Sequence, residues 1–94
     1  MDFKIVWTPK AEFRYEQIIL YLKDNWSKSV QIDFYRTVKN KLELLRLFPN
    51  MGMKFSNRNY RKLLLTEHSY LHYRIKDDKI VLLTIKDTRQ NPKQ

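Results

Sequence analysis

The chain contains no cysteine. Disulfides and thiolate chemistry are excluded, the domain must fold on packing alone, and a reducing cytoplasm is the expected compartment. Glycine occurs once, at Gly52. That rules out a glycine-rich phosphate loop, because cradling phosphate with successive backbone N–H groups requires several glycines. Histidine occurs only at His68 and His72. Without cysteine these make a poor zinc set, so no metal and no cofactor is expected. No apolar run approaches the ~20 residues needed to span a bilayer, so no membrane partner is expected. The opening segment, residues 1–7, lacks the basic start and long apolar run of a secretion signal, which fits a cytoplasmic location.

What is present in excess is positive charge. The formal net charge is +9 over 94 residues, with a pI near 9.9. Such a balance points to a polyanionic partner: nucleic acid, a ribosome, or an acidic protein that neutralises this one. Hydrophobic residues make up 43% of the chain, enough for one modest core, so residues 1–94 read as a single domain without internal repeats or linkers.

Phe3, Ile5 and Trp7 alternate with Lys4 and Val6, which predicts a short strand. Thr8-Pro9 then offers an N-cap followed by proline at the first helical position. Ala11, Tyr15, Ile18, Leu22 and Trp26 recur at spacings of four and three, the stripe of an amphipathic helix ending near Asp24-Asn25. Ser27 or Ser29 can cap a second helix with the stripe Val30, Phe34, Val38, Leu42, Leu45 and Phe48, stopped by Pro49. Residues 50–59 read as a loop. Strands are predicted over residues 60–66, 69–76 and 79–86, with a tight turn at Asp77-Asp78. The strongly apolar last strand is expected inside the sheet. A polar, exposed tail is expected from about residue 87. The fold class is α+β: a helical hairpin packed on a mostly antiparallel, curved four-stranded sheet, in the order β-α-α-β-β-β.

Several segments carry a family resemblance. They are Trp7-Thr8-Pro9-Lys10-Ala11, Ile18-Ile19-Leu20-Tyr21-Leu22, the stretch Leu44-Leu45-Arg46-Leu47-Phe48-Pro49-Asn50-Met51-Gly52, then Arg61-Lys62-Leu63, His72-Tyr73-Arg74-Ile75 and the closing residues 85–92. In this order and spacing the chain resembles the RelE/ParE superfamily of toxins from type II toxin–antitoxin systems, along nearly its whole length. The resemblance implies a growth-inhibiting toxin with a role in plasmid stabilisation. It also implies a cognate antitoxin that neutralises the toxin in a hetero-oligomer, and metal-free action. Members of this kind either poison DNA gyrase, as ParE-like toxins do, or cut mRNA on the ribosome, as RelE-like endoribonucleases do.

Cutting RNA without a metal needs a base for the 2′-hydroxyl, a cation for the phosphorane and an acid for the leaving oxygen. The candidates for such chemistry are His72, Tyr73 and Arg74. Lys54, Arg58, Arg61, Lys62 and Arg74, against the lone Glu67, cluster in the second half of the chain and, with Arg89, are the candidate contacts to target or RNA. RNA-cleaving relatives place a His or Tyr close to the C-terminus as an acid/base group. Here the segment after Ile85 holds neither, and Arg89 is a poor proton donor. This departure favours a ParE-like toxin that binds an essential target such as DNA gyrase. The alternative is a RelE-like ribosome-dependent endoribonuclease. Exposed aromatic residues of the first helix are candidates to receive an antitoxin helix.

Overall fold

A computed structural model describes residues 2–55 and 59–90. The chain runs β1 (Lys4–Trp7), α1 (Pro9–Asn25), α2 (Lys28–Leu47), β2 (Met53–Lys54), β3 (Tyr60–Leu64), β4 (Ser69–Lys76) and β5 (Lys79–Asp87), and closes with a single 3-10 turn at Thr88–Gln90.

Local chemistry sets the helix limits. The Thr8 hydroxyl accepts a hydrogen bond from the Ala11 N–H at 3.1 Å, so it caps α1, with Pro9 behind it. The same hydroxyl donates to the Leu82 carbonyl at 2.7 Å, which pins the start of α1 to β5. Of the two serines that could cap α2, Ser27 does so, accepting from the Val30 N–H at 3.1 Å. Across the hairpin, the Gln31 side-chain amide donates to the Ile19 carbonyl at 3.0 Å. The helices bury Ala11, Ile18, Leu22, Phe34, Val38 and Leu45 against Leu63, Leu71, Tyr73, Ile80, Leu82 and Ile85 of the sheet. Leu42 and Val30 pack at the margin of this core. The stripes fail at their ends: Trp26 and Phe48 are 55% and 60% exposed. Each is the C-cap residue of its helix, where the backbone leaves helical geometry and carries the side chain off the buried face.

The sheet differs from the expected one in two respects. It has five strands, not four, in the order β1-β5-β4-β3-β2. The extra strand, Met53–Lys54, lies within the expected loop and pairs antiparallel with β3; two residues are too short to show a period of two in the sequence. The sheet is also mixed, because β1 pairs parallel with β5, matching Lys4 to Lys79 and Trp7 to Leu82. The helices α1 and α2 carry the chain from β1 to β2 at the far edge of the sheet, and the antiparallel run β2-β3-β4-β5 brings it back beside β1 in the same direction. β5 does lie inside the sheet, between β1 and β4. Its pairing with β4 slips by one residue: His72 faces Thr84 but Tyr73 faces Leu82, leaving Leu83 as a bulge. A bulge increases local twist and bends the strand.

Asp87, read as the start of an exposed tail, is the last residue of β5 and is 6% exposed. Asn91 and the residues after it lie outside the described residues.

Candidate functional site

Register divides the second-half cations between the two sheet faces. On the face turned away from the core, three cross-strand rows form. They are Leu64–Tyr70–Lys86, Lys62–His72–Thr84 and Tyr60–Arg74–Val81. The Lys62 ammonium lies 4.2 Å from the centroid of the Tyr70 ring. Phe55, just past β2, reaches this face and sets its ring 4.8 Å from the His72 imidazole. Tyr70 and Tyr60 extend the aromatic row, 5.0 Å from His72 and 6.1 Å from Phe55 respectively. The Thr84 hydroxyl oxygen is buried beside His72 with no hydrogen-bond partner among the described residues.

Partial burial lowers the His72 pKa from its ordinary value, and Lys86, Lys62 and Lys10 lower it further. The imidazole is thus held toward its neutral form, among cations and, among the described residues, without a carboxylate to orient it.

Tyr73 belongs to the opposite face. It is fully buried. Its hydroxyl donates to the Pro49 carbonyl at 2.6 Å and accepts from the Gly52 N–H at 3.0 Å. Burial raises its pKa. Arg61, the register partner of Tyr73, donates to the Gly52 carbonyl at 2.7 Å and the Asn50 carbonyl at 3.2 Å. Tyr73 and Arg61 together clamp the turn after α2. Gly52 is required there because a Cβ would stand 2.7 Å from the Tyr73 hydroxyl oxygen.

The structure therefore brings Lys62, His72 and Arg74 together and separates Tyr73 and Arg61 from them. Lys54 pairs in register with Arg61 and is exposed at the free edge of the sheet. Arg58 lies outside the described residues. Arg89 is not free: its guanidinium holds the Asp87 carboxylate at 3.0 and 2.7 Å and sits over the Trp26 ring, 5.6 Å from the centroid. Sequence reasoning missed Lys86, Lys10 and Phe55. Lys86 was hidden by the bulge, which breaks the alternation of β5. Phe55 was hidden by a segment with no period. His68 sits in the Thr66–Ser69 turn, its ring 3.1 Å from Glu67.

Among the described residues no helix is long and apolar enough to cross a membrane, and no three His or carboxylate groups gather as metal ligands.

No curated protein matches the chain. Solved structures that resemble it include the following three, all at identities that speak for the fold alone. A chain of the chromosomal ParDE TA system from P. aeruginosa has a TM-score of 0.75 at 17% identity, covering 90% of this chain and 95% of that one. The YoeB/ParE toxin from Agrobacterium tumefaciens gives 0.65 at 13% identity, covering 89% and 96%. The YoeB dimer from Staphylococcus aureus gives 0.61 at 16% identity, covering 92% and 97%. A family model described as the ParE toxin of the type II toxin–antitoxin system parDE matches residues 5–92. With its sequence matched over that span, this chain belongs to the ParE toxin family of type II toxin–antitoxin systems.

Proposed function

We propose that the chain inhibits growth as a ParE-like toxin that binds an essential target such as DNA gyrase, and that a cognate antitoxin neutralises it. The observation that carries this reading is the dispersal of the catalytic candidates. His72 and Arg74 lie on the outer sheet face, while the Tyr73 hydroxyl is buried on the other side and committed to Pro49 and Gly52. Proton transfer needs an acid and a base within reach of one substrate. Adhesion to an anionic surface needs only the gathered cations. Arg89, tied to Asp87, offers no proton donor in place of the missing His or Tyr.

One observation favours the RelE-like alternative. A His72 held neutral beside Lys62 and Lys86 has the makings of a general base next to a phosphate-binding pair. Inducing the chain in cells while following mRNA 5′ ends and DNA supercoiling separates the two. Altered supercoiling and DNA damage without new mRNA ends is the expected result. New ends within codons, lost in His72→Gln, would replace the gyrase reading with ribosome-dependent cleavage.

A further inference from the structure

Lys10, Arg14 and Gln17 follow each other at spacings of four and three, so they share one face of α1. Arg14 and Gln17, with Tyr70, Lys86, Thr88 and Gln90, line a groove of about 530 Å³ between α1 and the end of β5. Tyr70 and Lys86 also belong to the outer sheet face, so groove and face form one continuous basic surface. We propose that this groove is a subsite for single-stranded nucleic acid, with Arg14 and Lys86 on two successive phosphodiesters and Tyr70 stacking an adjoining base. The inference goes beyond the growth-inhibition reading and holds whichever target is engaged.

The cations of this surface have no counter-charge among the described residues. Ion pairs among the described residues engage Arg46, His68, Lys79 and Arg89, but not Lys10, Arg14, Lys62 or Lys86. Lys10 and Arg14 stand four apart on a helix, a like-charge spacing that destabilises it. Glu12 and Glu16 are turned away from them, and Glu16 lines a different groove, between the two helices. The one carboxylate in the α1–β5 groove, that of Asp87, is fully buried with both oxygens held by Arg89. It leaves the positive potential of Arg14 and Lys86 intact. Burial first, and then Lys86, Lys62 and Lys10, lower the His72 pKa, so the three lysines add to one positive field at this face.

From Tyr70 the rings continue through His72 and Phe55 to Tyr60 at centroid separations of 5.0, 4.8 and 6.1 Å. A row of ring faces flanked by cations suits unstacked bases, which all present a π-face, with the backbone running along the charges. An acidic peptide would use the cations and leave the rings idle. A duplex hides its bases and would do the same.

The test is fluorescence anisotropy of the full chain with a labelled single-stranded oligonucleotide, as DNA and as RNA, across a salt series. Duplex of the same sequence and a polyglutamate peptide are the competitors. Arg14→Ala with Lys86→Ala should weaken binding at least tenfold and reduce the slope of log K against log salt by about 1.4, the share of two phosphate contacts on a single strand. Tyr70→Ala should weaken binding about fivefold or more with the slope unchanged. Lys28→Ala with Lys39→Ala, the same charge change placed on α2, should have under a twofold effect. Arg14 and Lys86 are exposed, so circular dichroism and melting should be unaltered; Arg14→Gln with Lys86→Gln reads the same site if the alanine pair misfolds. Three results would overturn the proposal: a groove pair no weaker than the α2 pair, preference for duplex, or polyglutamate displacing the strand at lower concentration than the strand's own competitor.

Discussion

The Tyr73 hydroxyl satisfies two backbone groups of the turn after α2, the Pro49 carbonyl and the buried Gly52 N–H. Removing it in Tyr73→Phe leaves both without that partner and should cost about 1–3 kcal/mol in urea unfolding. A loss below about 0.5 kcal/mol would show that Arg61 alone holds the turn. His72 allows a prediction of sign. Its folded-state pKa lies below the ordinary 6.5 because burial and Lys86, Lys62 and Lys10 disfavour the imidazolium. The unfolded chain therefore takes up this proton first as pH falls. Stability is full above about 6.5 and declines from there toward the folded-state pKa. An NMR titration of His72 should show a midpoint below 6.5, and His72→Gln should flatten the fall of Tm on mild acidification. A midpoint at or above the ordinary value would mean that neither burial nor the three lysines disfavour the imidazolium. At this scale the alternation of residues 69–76 put Tyr70, His72 and Arg74 on one strand face and Leu71, Tyr73 and Ile75 on the other, as the structure has them, but it offered no means of seeing that the Tyr73 hydroxyl holds the turn at Pro49 and Gly52.

Among the elements, those with clean periodicity and strong caps were legible. β4 runs over Ser69–Lys76 as alternation predicts, α1 starts behind Thr8-Pro9, and α2 stops before Pro49. The short or context-dependent pieces were not. β2 exists because β3 offers Arg61 and Lys62 as partners, and the parallel placement of β1 depends on the long return path through both helices and the β2-β3-β4 run. The end of β5 is the instructive case. Asp87-Thr88-Arg89-Gln90 is polar and reads as tail, yet the Asp87 side chain is fully buried and the Arg89 side chain is 12% exposed. Deleting the guanidinium leaves a buried carboxylate without its counter-charge, held only by the Arg89 backbone N–H at 2.9 Å. Arg89→Ala should therefore destabilise the domain by about 3–5 kcal/mol, measured by denaturant unfolding. If Arg89→Ala instead leaves stability within about 1 kcal/mol, the pair behaves as a surface ion pair and Arg89 is available to a target.

On the scale of the whole molecule, charge is sorted by face. Lys62 and Arg74 share the outer face, whereas Arg61 serves the turn beneath the opposite one. Lys62→Ala with Arg74→Ala should reduce growth inhibition while leaving the circular dichroism spectrum unchanged and the stability within about 1 kcal/mol per residue. Arg61→Ala should show the reverse order of effects, with stability falling first. Full toxicity in the folded Lys62/Arg74 double variant would make that face a merely solvated surface. Composition, charge, caps and strand alternation are local properties, so the sequence by itself determined the α+β class, the helix limits, most of the core and the positive surplus. Which cations act together is decided by strand register, by a single bulge at Leu83 and by the meeting of α1 with the end of β5. A shift of one residue reverses the face on which a side chain stands, so these pairings between distant segments were settled only when the chain folded.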